Sequence, residues 1–179
     1  MLLCRAMRPH KWSLHLPLFL LCVVISCTGI PRVFTLPTSA MEPTILLEEK
    51  FSADMTRFQP LYGELIIFEH EGLLLVKRTI GVSGDVLEGR NLQVFLNGKL
   101  LDEPYVQHIG KHPLVPKSLE NFGPISIPAG KLFVAGDNRD FSLDSRDPSF
   151  GLISVSDIRG KPIEILQSPK PGRVHTILH

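Results

Sequence analysis

Residues 65–81 read LIIFEHEGLLLVKRTIG and contain two continuous apolar runs, at residues 65–68 and 73–76. Short apolar runs without polar alternation are typical of strands that are buried on both faces of a sheet. The segment therefore predicts two buried strands, and the second run is followed directly by a basic residue, Lys77.

Strand and turn signals continue on both sides of this segment. Residues 92–101 read LQVFLNGKLL, and the Asn-Gly pair at residues 97–98 tolerates the positive φ angles of a hairpin turn. Residues 132–135 predict another strand, whereas residues 107–124, rich in Pro, His, Lys and Gly, predict an exposed loop. No long amphipathic helical period follows residue 31. We predict a mainly β fold of coiled antiparallel sheets that form a barrel-like domain.

Composition excludes several broad classes of protein. The chain has 179 residues, and its 19 Lys and Arg against 18 Asp and Glu give a net charge of +1. This balance argues against a nucleic-acid-binding protein, which usually has a basic excess. With 44% hydrophobic and 21% charged residues, wholesale disorder is excluded. The cysteines are Cys4, Cys22 and Cys27, so the rest of the chain has neither a disulfide framework nor a cysteine-ligated metal.

The amino-terminal segment predicts a membrane anchor. Residues 12–30 contain no Lys, Arg, Asp or Glu, and as a helix they would span about 28 Å, close to the thickness of the hydrocarbon core. Arg5, Arg8 and Lys11 precede this stretch. Because positive charge stays on the cytoplasmic side, we expect a single-pass anchor in a bacterial-type inner or cytoplasmic membrane, with the following domain on the outer side.

Two other interpretations of this segment remain open. Its strongest apolar stretch, residues 16–27, has a length that also suits a cleaved signal peptide. Residues 24–27 read VISC and resemble a bacterial lipobox, which would place a lipid on Cys27. All three interpretations put the remaining domain outside the cytoplasm.

Lys77 is chemically unusual because it follows an apolar run that we expect to be buried. Burial disfavours the charged ammonium and lowers the pKa of a lysine. A neutral lysine amine can act as a general base, and with a nearby hydroxyl it would form a Ser-Lys catalytic pair. In the alternative structural interpretation, Lys77 lies at a strand end and its amine reaches solvent.

Three segments of the chain, taken in order, resemble the conserved boxes of type I signal peptidases, the membrane-anchored Ser-Lys peptidases. Residues 36–44 read LPTSAMEPT, residues 77–85 read KRTIGVSGD, and residues 136–146 read GDNRDFSLDSR. Residues 62–68, YGELIIF, resemble the strand box between the first two. The likeness extends over about residues 35–162, and several boxes in one order are far more specific than any single box.

The resemblance implies a role for individual residues of this chain. Lys77 would be the general base, and the Thr38 hydroxyl would stabilise the oxyanion together with the main-chain N–H of residue 40. Ser145 would orient the Lys77 amine, and Met41 would shape the substrate site. The reaction would need no metal or cofactor. Structural support would come from Arg78, Asp137, Asp140, Asp144 and Arg146.

The chain departs from the family pattern at the nucleophile, where Ala40 stands in place of serine. A methyl group cannot attack a carbonyl carbon, so three explanations stay open. The chain is a natural inactive relative, or a serine has been replaced by alanine, or Ser39 serves as a substitute nucleophile. Adjacent side chains of an extended segment point to opposite faces, which makes a shift to Ser39 geometrically unfavourable.

We therefore predict a signal-peptidase-type serine endopeptidase that removes leader peptides from exported proteins at the outer face of a membrane. A specialised pilin-type maturation peptidase is one alternative. Another is an inactive relative that binds signal peptides or partners an active peptidase, and a third is a lipoprotein with a degenerate peptidase domain. The expected partners are exported preproteins or signal peptides and membrane lipid, without nucleic acid. The expected organisation is a cytoplasmic segment at residues 1–11, the anchor at 12–30, a signal-peptidase-like domain at 31–167 and an irregular tail at 168–179.

Overall fold

The computed structural model describes residues 32–110 and 117–179. The described residues form eleven strands and two short 3-10 helices, and all strand pairs are antiparallel. The prediction of a mainly β fold with antiparallel sheets is confirmed. The 3-10 helices are Lys117–Glu120 and Val155–Asp157, and the strands are β1 Arg32–Thr35, β2 Lys50–Asp54, β3 Leu65–His70, β4 Leu73–Gly81, β5 Val86–Arg90, β6 Gln93–Leu96, β7 Lys99–Leu100, β8 Phe122–Ser126, β9 Lys131–Ala135, β10 Ile153–Ser154 and β11 Ile158–Gln167.

The strands form two sheets. The larger sheet has seven strands in the order β1-β2-β11-β3-β4-β9-β10, and the smaller has four in the order β7-β6-β5-β8. Strand β4 carries Lys77 and lies between β3 and β9, in the interior of the larger sheet. In this order β1 and β10 are the edge strands. The expected curvature of the sheets into a barrel-like domain stays a prediction.

The two apolar runs of residues 65–81 form the β3–β4 hairpin. All four residues of the first run are buried, but in the second run the side chains of Leu73 and Leu74 are 63% and 49% exposed. The prediction of burial on both faces is therefore wrong for these two residues. The reason is that β9 pairs with β4 only from Arg78 to Gly81, so the first half of β4 pairs with β3 alone.

The Asn-Gly hairpin forms where it was predicted, between β6 and β7. Asn97 and Gly98 both have positive φ, at 52° and 78°, as the turn requires. The predicted loop at residues 107–124 is wrong in its last part, because a 3-10 helix and the start of β8 lie there. The ring of Phe122 stacks on that of Phe133 at a centroid distance of 5.4 Å. This packing stabilises β8, a strand that the Pro and Gly residues of the segment do not indicate.

The core positions the segment that follows β1 against β4. Met41 and Ile45 are fully buried in one apolar cluster, which also contains Val76 of β4 and Leu178 of the tail. Burial of Met41 and Ile45 therefore holds the turn at residues 39–45 against Val76, the residue before Lys77.

The predicted anchor at residues 12–30, with Cys27, lies outside the described residues. Within the two described ranges, no helix is long and apolar enough to cross a membrane.

Candidate active site

An open groove of about 640 Å³ runs along one face of β4 and brings together three of the predicted site residues, Thr38, Ala40 and Lys77. Alternate residues of a strand share a face, and for this reason Leu73, Leu75 and Lys77 line the groove together. The other lining residues are His70, Glu71, Phe141, Leu143, Ser149 and Phe150.

Ala40 is held at the groove by main-chain contacts. The N–H of Asn138 donates to the main-chain oxygen of Ala40 at 3.1 Å, and its side-chain amide donates to the main-chain oxygen of Ser39 at 3.1 Å. Thr38 and Ala40 line the groove, whereas Ser39 is not among the described lining residues. This arrangement counts against Ser39 as a substitute nucleophile.

Gly136 explains why the segment carrying Ala40 can lie so close to the end of β9. A Cβ atom built at Gly136 would overlap the side chain of Ser142 and would lie 2.5 Å from the main-chain oxygen of Ala40. Glycine is therefore required here by close approach of backbone and side chain.

The Lys77 amine is buried and hydrogen-bonded. Lys77 is 6% exposed, and its Nζ donates to Ser142 Oγ at 2.8 Å. Ser142 Oγ in turn donates to Asp144 Oδ2 at 2.7 Å. The interpretation in which Lys77 reaches solvent at a strand end is wrong, since Lys77 lies in the middle of β4.

The expectation that Ser145 contacts the Lys77 amine requires correction. The Ser145 hydroxyl accepts the N–H of Val134 at 3.1 Å, and the Ser145 N–H donates to the oxygen of Val134 at 3.0 Å. The described hydrogen bonds of Ser145 thus join it to β9, and the hydroxyl that contacts the Lys77 amine is that of Ser142. Sequence reasoning missed Ser142, although it belongs to the same segment, because spacing alone does not tell which hydroxyl of a turn faces inward.

Burial lowers the pKa of Lys77 to about 8, and the nearby Arg146 acts in the same direction against the attraction of Asp144 and Asp137. At mildly alkaline pH a substantial fraction of Lys77 is therefore a neutral amine. Such an amine can accept a proton from a hydroxyl group or from water.

Asp144 and Arg146 form a buried ion pair next to the Lys77–Ser142 contact. Burial alone would raise the pKa of Asp144, but Arg146 and Lys77 keep it below its usual value, so the group is a carboxylate. Arg146 Nε donates to Asp144 Oδ1 at 2.8 Å, and the N–H of Gly136 donates to Asp144 Oδ2 at 3.0 Å. The charge is thus paired and hydrogen-bonded, as a buried carboxylate requires.

Arg78 connects the strand of Lys77 to the turn that follows Ala40. It makes a bidentate ion pair with Asp137, at 2.9 Å for Nε and 2.7 Å for Nη2. The Thr44 hydroxyl also donates to Asp137. The ring of Tyr105 covers the Arg78 guanidinium at 4.0 Å. Arg78 and Asp137 therefore lie behind the groove and do not line it.

The last of the predicted supporting residues, Asp140, holds a neighbouring loop. Asp140 Oδ2 accepts the N–H groups of Ile109 and Gly110 at 2.6 and 2.8 Å. The adjacent Arg139 forms a buried bidentate pair with Glu103, at 2.6 and 3.2 Å. Sequence reasoning missed this pair, whose members lie 36 residues apart.

Comparison with known proteins identifies the family. The family model for signal peptidase, peptidase S26, matches residues 10–166. Signal peptidase I S of Bacillus subtilis is 30% identical over 158 residues, which cover 84% of each chain. Signal peptidase IB of Staphylococcus aureus is 33% identical over 165 residues, with coverage of 84% of this chain and 85% of that protein. The crystal structure of a signal peptidase I from Enterococcus faecalis shares 29% identity and a TM-score of 0.47, and the match covers 59% of this chain and 98% of that one. The chain belongs to the signal peptidase family, peptidase S26.

Proposed function

We propose that this chain binds the leader peptides of exported preproteins in the groove between Ala40 and Lys77, at the outer face of a membrane. We further propose that the site retains the base of a Ser-Lys endopeptidase and lacks only its nucleophile. The observation that carries the proposal is the buried Lys77 amine, whose pKa is lowered to about 8, in the same groove as Ala40.

With a serine at residue 40, the groove would support acyl transfer. The serine hydroxyl would attack the peptide carbonyl while Lys77 takes its proton, and Lys77 would return that proton to the leaving amine. The Thr38 hydroxyl and the N–H of residue 40 would stabilise the oxyanion. The resulting ester would be hydrolysed by a water molecule that Lys77 deprotonates. Ser142 and Asp144 would hold the amine in position.

With alanine at residue 40, the same groove offers no attacking oxygen, so a bound leader peptide stays intact. The apolar lining supports such binding, since Leu73, Leu75 and Leu143 offer contacts to an apolar segment in extended conformation. Binding without cleavage is therefore the activity that we propose for the chain as it stands.

The proposal is tested with four forms of the full chain in detergent and lipid: the chain itself, Ala40→Ser, Ala40→Ser with Lys77→Met, and Ser39→Ala. We expect the chain to bind a preprotein without cutting it, Ala40→Ser to cut it, and Lys77→Met to abolish that cutting. Cleavage by the chain that is lost in Ser39→Ala would instead identify Ser39 as the nucleophile. Failure of the chain to bind a preprotein, or failure of Ala40→Ser to cut one, would overturn the proposal.

A further inference from the structure

The tail that follows β11 turns back and packs on the larger sheet. The N–H of Leu178 donates to the oxygen of Ile163 at 2.8 Å, and the N–H of Ile165 donates to the oxygen of Thr176 at 3.0 Å. Leu178 is buried in the same apolar cluster as Met41 and Ile45. Leu178 thus contacts the core beneath the turn that carries residue 40, although it lies beyond residues 10–166 of the family match.

Arg173 is the polar link between this tail and the segment after Ala40. Its Nε donates to Glu49 Oε1 at 2.6 Å, and its Nη2 donates to Glu49 Oε2 at 3.1 Å and to the main-chain oxygen of Thr44 at 2.7 Å. Glu49 also accepts the N–H of Leu46 at 2.8 Å. One guanidinium therefore fixes both ends of residues 44–49.

Glu49 is completely buried, so its charge depends on this partner. Burial by itself raises the pKa of Glu49, but the hydrogen bonds from Arg173, Ser168 and the main chain bring it below its usual value. Removing Arg173 would leave a buried carboxylate without its cation, and such a group moves toward solvent or takes up a proton. In either case residues 44–49 would lose their present position.

A second contact joins the tail to the strand of the base. Arg78, the residue after Lys77, donates from Nη1 to the main-chain oxygen of His179 at 2.7 Å, while its other nitrogens hold Asp137. Thr44 donates its hydroxyl to the same Asp137. The tail thus contacts both the strand that carries Lys77 and the turn that carries residue 40.

We propose that Arg173 is a positioning residue, which holds residues 40–49 against β4 so that residue 40 faces the Lys77 amine. Arg173 does not line the groove and acts through Thr44 and Glu49. This inference rests on the proposed function. A nucleophile displaced on the order of 1 Å loses about 10²-fold in rate, so a loosened turn lowers kcat much more than it weakens peptide binding.

The test compares four full-length variants that all carry Ala40→Ser: no further change, Arg173→Ala, Arg173→Lys, and Lys170→Ala. The last is a matched control, since it removes an exposed cation from the same tail. We expect Arg173→Ala to lower kcat for preprotein cleavage about 10² fold, with KM within about threefold of the parent. We expect Arg173→Lys to recover part of the loss and Lys170→Ala to equal the parent.

Rates are expressed per folded molecule, with the folded fraction taken from thermal denaturation. Equal kcat in Arg173→Ala and the parent would overturn the positioning role while the proposed function stands, and so would a loss explained fully by the folded fraction. If Ala40→Ser does not cut, the proposed function falls. The positioning role of Arg173 is then tested by hydrogen exchange in the chain that keeps Ala40. Faster exchange of the amides of residues 41–49 in Arg173→Ala supports the role, and unchanged exchange overturns it.

Discussion

At the scale of single residues, the proposed site depends on the methyl group of Ala40 and the amine of Lys77. In the function that we propose, Ala40 leaves the groove without an attacking oxygen, whereas the buried Lys77 amine would still serve as the base. A buried ammonium lowers the free energy of unfolding unless it is compensated, and here Ser142 and the charge of Asp144 supply the compensation. In the proposed function the site therefore has a general base and lacks a nucleophile.

The rate of peptide cleavage by the Ala40→Ser variant should rise with pH. Lys77 accepts a proton only when it is neutral, and its pKa is lowered by burial to about 8. Below that pH the amine is charged and inactive, so kcat should increase about tenfold per pH unit up to about pH 8 and then level off. A kcat profile from pH 6 to 10 measures this. A constant rate, or a rise centred near the value of about 10.4 for an exposed lysine, would contradict the assignment.

The two serines of residues 142–146 should differ in their effects. In the Ala40→Ser background, Ser142→Ala removes the hydrogen bond that orients the amine, and we expect kcat to fall about 10² fold. Ser145→Ala leaves the amine untouched but leaves the N–H of Val134 unpaired, at a cost of about 1–3 kcal/mol in the free energy of unfolding. Cleavage kinetics and urea denaturation of both variants test this contrast. A larger loss of kcat in Ser145→Ala would show that Ser145 orients the base.

At the scale of secondary structure elements, the end of β9 determines how closely three segments approach one another. Gly136 ends that strand, with Ser142 and the main chain of Ala40 packed where a side chain would lie. Its N–H donates to Asp144, so the same residue also helps to hold the carboxylate behind Lys77. The spacing between residue 40 and the Ser142–Asp144 turn thus depends on a missing side chain.

Gly136→Ala should destabilise the fold and separate these segments. Because the added methyl overlaps Ser142 and the Ala40 backbone, the neighbours must shift, and overpacking of this kind costs about 1–3 kcal/mol. Urea denaturation measures the loss. Ser126→Ala, at an exposed position of β8, is the control and should leave the midpoint unchanged. An unaltered midpoint for Gly136→Ala would mean that the segments are not in close contact.

At the scale of the whole molecule, a segment at residues 103–110 ties the small sheet to the corner behind the groove. It begins shortly after β7 and reaches residues 137–140 of the larger sheet's connection. Glu103 pairs with the buried Arg139, and the main chain of Gln107 pairs with that of Asp137 and Arg139. Tyr105 adds its ring to the Arg78 guanidinium. The groove is consequently braced by residues that do not line it.

Glu103→Ala should strongly destabilise the folded chain. Arg139 would remain buried without its partner, and an uncompensated buried charge costs about 3–5 kcal/mol. The matched control is Glu88→Ala, which breaks the exposed pair with Arg90 and should change stability little. Denaturant titrations of both variants decide the matter. Comparable midpoints for the two variants would contradict the bracing role of Glu103.

Local patterns in the sequence were sufficient for four strands and the Asn-Gly turn, and the family resemblance picked out three residues of the groove, Thr38, Ala40 and Lys77. Apolar runs and the Asn-Gly pair predict β3, β4, β6 and β7, because the strand period and turn preferences act between near neighbours. The resemblance of residues 36–44 and 77–85 to the boxes of a family singles out Ala40 and Lys77. Both kinds of inference need only the order and spacing of residues along the chain.

Other features depend on which distant segments meet, and only the folded chain decides them. The Lys77 amine contacts Ser142, whereas the hydroxyl of Ser145 faces the main chain of β9. Leu73 and Leu74 are exposed because β9 ends before it reaches them. The pairing of Arg173 with Glu49 spans 124 positions in the chain. Burial and hydrogen-bond partners over such separations follow from the packing of the two sheets and the tail, and no local pattern encodes them.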